Sequence, residues 1–156
     1  MNTFLASAAS ACLFALVVPA QFPGPGLTWQ GSQSQFGGSF LPSCQNLPVT
    51  LLSPETITIK VWGDMMSPFG LFASASGSQC VPIPGIGGFV ILDFPFFVVT
   101  AGLLTEVSPC LSCPPGLQTL QFNIPPGLPP GTSLALQGIA LGNGQLGFTI
   151  AITGTV

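Results

Sequence analysis

The clearest pattern in the chain is a strict alternation over Thr56–Trp62, with Ile57, Ile59 and Val61 on one side and Thr56, Thr58 and Lys60 on the other. Period-2 alternation in β-branched residues predicts a strand buried on one face. The period returns at Phe69–Ser76, where Phe69, Leu71, Ala73 and Ala75 oppose Ser74 and Ser76. It returns again where Leu120, Phe122 and Ile124 alternate with Thr119, Gln121 and Asn123. Ser133–Leu141 sets Leu134 and Leu136 around Ala135, and Leu146–Thr153 sets Leu146, Phe148, Ile150 and Ile152 against Thr149, Ala151 and Thr153. Between those two, Asn143-Gly144 is a two-residue hairpin signal. Leu47–Leu52 is a shorter apolar run, expected to form an early strand.

Gly and Pro punctuate these segments, at Gly63-Asp64, Pro82-Ile83-Pro84-Gly85, Pro125-Pro126-Gly127 and Pro129-Pro130-Gly131. Beyond residue 20 no segment carries a helical period. Short strands at regular spacing with Gly/Pro turns predict an all-β domain, an antiparallel β-sandwich of immunoglobulin-like or jelly-roll-like type. Ile124-Pro125, Gly131–Gln137 and the final hairpin resemble the C-terminal half of uncharacterised secreted bacterial β-sandwich domains. Those end in an Ile-Pro step, a Leu-x-Leu-x-Gln-type strand and a last Thr-rich strand. The likeness spans roughly residues 56–156 and implies the fold without an activity.

Gly88–Leu104, GFVILDFPFFVVTAGLL, is the segment on which the class of the protein turns. As a membrane helix it places Asp93 near mid-bilayer at a cost of roughly 3 kcal/mol, with Pro95 two residues away and no flanking Lys or Arg. As a strand it puts Val90, Leu92, Phe94, Phe96 and Val98 on one face and turns Asp93 away from the core, with Pro95 marking an edge or bulge. The expectation is a central strand, and no membrane span in the mature chain.

Residues 1–20 read as an N-terminal signal helix, with an apolar run at Cys12–Val18 and small residues before Gln21, although the usual positive n-region is missing. Residues 21–46 read as an extended Gly/Ser/Gln-rich lead-in, and 47–156 as the sandwich domain. Removal of the signal leaves Cys44, Cys80, Cys110 and Cys113, an even set that fits two disulfides in an oxidising compartment. Of the three pairings, Cys44–Cys80 with Cys110–Cys113 is the one favoured.

Composition narrows the function. Charged residues are 3% of the chain, namely Glu55, Lys60, Asp64, Asp93 and Glu106, and histidine is absent. One lysine cannot neutralise nucleic-acid phosphates or anionic lipid headgroups. A net charge of −3 gives weak self-repulsion, so self-association or binding to matrix and envelope proteins is expected. The 20 glycines and 17 prolines follow no Gly-every-third repeat, which sets collagen aside.

Gly142-Asn143-Gly144-Gln145-Leu146-Gly147 matches G-x-G-x-x-G, but no helix follows it, so it reads as a hairpin. Cys110-Leu111-Ser112-Cys113 is open to three readings: redox pair, zinc half-site or structural disulfide. Pro114-Pro115-Gly116 blocks the helix that a redox pair uses to activate its first thiol, which favours the disulfide. The four carboxylates show no spacing that pairs them for acid/base work and read as solubilising surface charges. No catalytic, cofactor or metal residues are assigned, and enzyme activity is not expected. Trp29, Trp62 and Phe72 are the aromatics placed to stack on sugars, with Trp62 and Phe72 opposite the apolar sides of their strands. The resulting expectation is a secreted, non-catalytic structural or interaction domain of the cell surface or extracellular matrix. A carbohydrate-binding module with a Trp62/Phe72 patch is the alternative.

Overall fold

The alternating segments fold as strands, and two five-stranded sheets hold nearly all of them. The computed structural model describes residues 24–32, 35–39, 44–109 and 113–156, with the backbone alone over 35–39. Residues 1–20, where a signal helix is expected, and Cys110 lie outside the described residues. The first sheet runs β2-β1-β4-β10-β9 and is antiparallel throughout. Its strands are β1 (Gly26–Gln30), β2 (Gln35–Ser39), β4 (Glu55–Gly63), β9 (Glu106–Val107) and β10 (Gly116–Ile124). The second runs β3-β12-β11-β5-β8, made of β3 (Asn46–Thr50), β5 (Pro68–Ser74), β8 (Phe97–Leu103), β11 (Ser133–Gly142) and β12 (Gln145–Thr155). A small hairpin pairs β6 (Val81–Pro82) with β7 (Phe89–Val90).

The sheets pack through the faces that the alternation marked. Ile57, Ile59 and Val61 of β4 and Leu27 and Trp29 of β1 meet Leu71, Leu136, Ala140, Ile150 and Ile152 of the second sheet. Each large apolar side chain fully withdrawn from water there contributes roughly 1.5–3 kcal/mol before entropy is charged. Packing is tight enough to require glycine. A Cβ on Gly154 would sit 2.6 Å from Leu51 Cγ and 3.0 Å from Trp29 Cη2.

Four features depart from the alternation as read. First, the short strand expected around Leu27–Gln30 within residues 21–46 forms as β1, and its pairing with β4 carries Trp29, which is 0% exposed, into the core rather than to a sugar-stacking surface. Gly and Ser around a short strand masked its period. Second, the sheets are not wholly antiparallel, because β3 lies parallel to β12, with Ala151 opposite Asn46 and Thr155 opposite Thr50. Parallel neighbours need a crossover, and all of β4 to β11 runs between these two strands.

Third, Gly88–Leu104 is not a central strand. It contributes β7, an irregular stretch, and then β8 at the sheet edge. Ile91 and Leu92 are both buried, at 2% and 1% exposure, which successive residues of a one-sided strand cannot be. The Asp93 N–H donates to Ser76 O at 3.0 Å, and Pro95 has no N–H for a ladder, so pairing stops between them. Fourth, β12 changes phase. Gly138 breaks its register with β11, and the Gly138 N–H donates to Thr149 Oγ1 at 2.9 Å. The bulge sends Leu146 and Phe148 to the outer face while Ile150 and Ile152 stay in the core.

At the opposite edge of that sheet β8 has β5 as its sole strand partner among the described residues. Phe97 and Val98 are each 60% exposed, Leu103 is 47% exposed, and Phe94 just before the strand is 72% exposed. None of the described residues forms a helix long and apolar enough to cross a membrane.

Candidate functional site

The outer face of the second sheet is where side-chain chemistry and backbone position disagree most. Register places Gln137 opposite Phe72, and Ile139 opposite both Gly70 and Phe148, on the side away from the first sheet. Outward positions on a two-sheet domain are normally polar. Here they are large and apolar because a second layer covers them. That layer is the β6–β7 hairpin and the residues that follow it. The hairpin is closed by Gln79 N–H to Ile91 O at 3.1 Å and turned at Gly85, whose φ of +80° suits glycine.

Three anchors hold the cover. Cys80 is disulfide-bonded to Cys44, with their Cα atoms 5.5 Å apart, which confirms that pairing. Gly87 docks on the β12 edge: its N–H donates to Leu146 O at 2.9 Å and its carbonyl accepts from Phe148 N–H at 2.9 Å. Gln137, 1% exposed, is the third. Its Oε1 accepts from Ile91 N–H at 3.0 Å, while its Nε2 donates to Phe89 O at 2.8 Å and Thr149 O at 2.9 Å. The carboxamide is therefore fully engaged in joining cover to sheet.

Asp93 closes the far end of this layer. Its carboxylate accepts from the Ser76 hydroxyl at 2.6 Å and from the hydroxyl and N–H of Ser78. The Ser76 bond is the main cause that holds the Asp93 carboxyl below its ordinary range; partial desolvation opposes it, and Ser78 and Gln79 N–H add to it. Ser74 Oγ donates to Asp93 O at 2.6 Å from the sheet below.

Between cover and sheet lies a cavity of about 280 Å³. Phe72, Ile139 and Phe148 form its floor with Gln137, and Ile83, Val90, Leu92 and Phe96 form its roof. Phe96 meets Phe72 edge-on at 5.9 Å between centroids and Phe94 at 4.7 Å, so an aromatic row runs from the cavity to the surface.

The residues singled out in the sequence are not gathered here. Phe72 is in the cavity floor, but Trp62 lies on the outer face of the other sheet, opposite Gly26 and Leu117, so the two do not form one patch. Trp29 is core. The four carboxylates are also more than solubilising charges, because Glu55, Asp64 and Asp93 each anchor a loop and Glu106 ties β9 to β10. Asp64 accepts the N–H groups of Asn143 and Gly144 at 2.9 and 2.8 Å. That loop is the expected tight hairpin, with φ of 52° at Asn143 and 73° at Gly144. Glu106 binds Gln118 and Thr119. Glu55 accepts from Leu52 N–H and from the N–H and hydroxyl of Ser32. Burial pushes the Glu55 carboxyl up, but the N–H groups of Leu52 and Ser32 and the Ser32 hydroxyl together hold it below its ordinary value. Cys113 is disulfide-bonded, and Cys110, its favoured partner, lies outside the described residues.

The sequence does not disclose the cavity, because the alternation makes its roof a strand and turns Phe148 inward. The clue present was Phe72, a large apolar residue at a polar parity. No protein-family model matches the chain, and no curated protein matches its sequence. Among solved structures it is similar to a chitin binding domain from Burkholderia pseudomallei, at 14% identity and a TM-score of 0.33. The match covers 70% of this chain and spans little more than half, 55%, of that one; at this score the likeness carries no argument about function.

Proposed function

We propose that the protein is an exported, non-catalytic interaction domain that associates with a second copy of itself through β8. The observation that carries this is the edge itself. Seven residues, FVVTAGL, present an unpaired ladder among the described residues, without one charge and with Phe97, Val98 and Leu103 exposed. Edge strands of monomeric proteins are normally guarded by Lys, Pro or inward charges. This chain has one Lys and Arg residue in total, and that lysine is Lys60, on the other sheet. A second β8 offers a self-complementary partner, and antiparallel pairing of the two edges joins two five-stranded sheets into one. The Cys44–Cys80 bond supports an oxidising compartment. Sedimentation velocity from micromolar to millimolar concentration is expected to show a growing dimer that Val98→Lys abolishes. A single monomer boundary over the whole range overturns the proposal, as does a dimer indifferent to Val98→Lys.

A second reading, glycan binding, is favoured by the outer face of the first sheet. Register aligns Thr28 and Thr119 beside Lys60, and Thr58 beside Gln30 and Gln121, with Trp62 at one end. That is an array of hydroxyls and amides around one charge, next to an indole. Retention on an insoluble polysaccharide that Trp62→Ala removes is the outcome expected of it, and no retention on any polysaccharide eliminates it.

A further inference from the structure

We infer that the cavity beneath the β6–β7 hairpin is a binding site for a small, uncharged aromatic molecule. Five features of the cavity lead there. Among the described residues its one polar lining side chain is Gln137, whose carboxamide is already bonded at both ends to Ile91, Phe89 and Thr149, so water inside would lack the two to four partners it needs. Its apolar lining is not closed as the core is: Phe72, Phe96, Ile139 and Phe148 are all partly exposed, whereas Ile57, Ile59 and Leu71 are at 0%. The space is thus reachable from outside and offers a guest only apolar contact.

Size and shape narrow the guest. At about 280 Å³ the cavity is roughly twice the engineered apolar cavity of about 150 Å³ that takes up benzene. It matches the bulk of two fused rings. Three phenylalanines, Phe72, Phe96 and Phe148, supply ring edges and faces for a flat aromatic guest. Charge narrows it further. No charged side chain lines the cavity, and Asp93, nearest in sequence to the roof, is held by Ser76 and Ser78. An ionised ligand would lose its hydration without compensation. Finally, the walls are pre-organised. The Cys44–Cys80 bond, the Gly87 pairing and the Gln137 bridge fix the hairpin before a ligand arrives, which lowers the ordering cost of binding.

The test uses naphthalene as the neutral probe and 2-naphthoate as its charged counterpart, with isothermal titration and methyl NMR on the full chain. Naphthalene is expected to bind and to shift the methyl signals of Ile83, Val90 and Leu92 while leaving Ile57 and Ile59 in place. 2-Naphthoate at neutral pH is expected to bind at least tenfold more weakly. Ile139→Phe, which fills the floor, should weaken naphthalene at least tenfold, and Phe148→Trp does the same from the neighbouring strand should the first variant not fold. The Val107→Lys chain should bind as the parent does, since Val107 is exposed on β9 of the other sheet. No binding up to the solubility limit overturns the inference. So does equal binding of naphthoate, a shift pattern centred on Ile57 and Ile59, or affinity unchanged in the filling variants.

Discussion

Replacing Gln137 with leucine tests how the cover is held. The change keeps nearly the same volume and so opens little space, but it removes one acceptor and two donors at once. Ile91 N–H, Thr149 O and Phe89 O lose bonds of 3.0, 2.9 and 2.8 Å. Ile91 and Thr149 are 2% and 3% exposed, so their stranded groups cannot reach water, and each costs about 1–3 kcal/mol. Phe89 is half-buried and its carbonyl is partly rehydrated, at about 1 kcal/mol. The better burial of leucine offsets about 1–2 kcal/mol. The net expectation is a loss of about 3 kcal/mol, a large share of the roughly 5–15 kcal/mol that stabilises a domain. Urea unfolding reads the total as a fall in midpoint at constant slope. Native-state hydrogen exchange locates it, with the Ile91 amide expected to exchange about a hundredfold faster than in the parent. Gln137→Glu sharpens the reasoning, because its carboxylate would face the Phe89 and Thr149 carbonyls. Its folded-state pKa is then raised, so its deficit is full at neutral pH and shrinks as pH falls through that value. A Gln137→Leu chain within about 0.5 kcal/mol of the parent, with Ile91 protection intact, would refute the role assigned to Gln137.

Two further expectations concern the remaining anchors. Glu55 and Asp93 both have folded pKa values below the unfolded ones, so their stabilisation is complete above the ordinary carboxylate range near pH 4 and is lost as pH falls through the folded values. With no histidine in the chain, the thermal midpoint should be flat from about pH 6 to 8 and drop in acid; an acid limb unchanged in the Glu55→Gln, Asp93→Asn double variant would contradict this. Cys80→Ser opens a loop of 36 residues and should cost about 4 kcal/mol on the chain-entropy model, read by denaturant unfolding; a loss under about 1 kcal/mol would mean that Gly87 and Gln137 hold the hairpin without it.

Strands whose core-facing residues keep one period are legible from sequence: β4, β5, β10 and the Asn143-Gly144 hairpin. So is the Cys44–Cys80 pairing. What was not legible came from single residues that break a local rule for a non-local reason. Gly138 leaves a gap that Thr149 fills, and the phase of Phe148 reverses as a result. Asp93 looked like an outward charge on a strand, whereas its hydrogen bonds to Ser76 and Ser78 are part of what ends the strand. Trp29 reads as an exposed aromatic in a polar stretch because the core residues it packs among, Ile57, Ile59 and Ile152 included, lie far along the chain. Gln137 gave no sign of its role, since a lone amide in an apolar strand is interpretable only once its three backbone partners are in place.

The same redistribution explains the bare edge. In a typical domain about a quarter of the residues are charged, and they serve solubility, loop anchoring and edge protection together. Here the chain has four acidic residues, and all four side chains are engaged in hydrogen bonds that hold backbone in place: Glu55 at Ser32, Asp64 at the β11–β12 turn and Asp93 under the hairpin hold loops, and Glu106 ties β9 to β10. None is left to guard β8. Removing an anchor would loosen a loop, whereas adding a charge at Val98 disturbs none of them. If the uncharged edge is incidental, Val98→Lys should change neither association nor stability. If the edge is the working surface, the substitution should separate the two copies while the unfolding midpoint of the monomer stays where it was, because Val98 is 60% exposed and has little burial to lose.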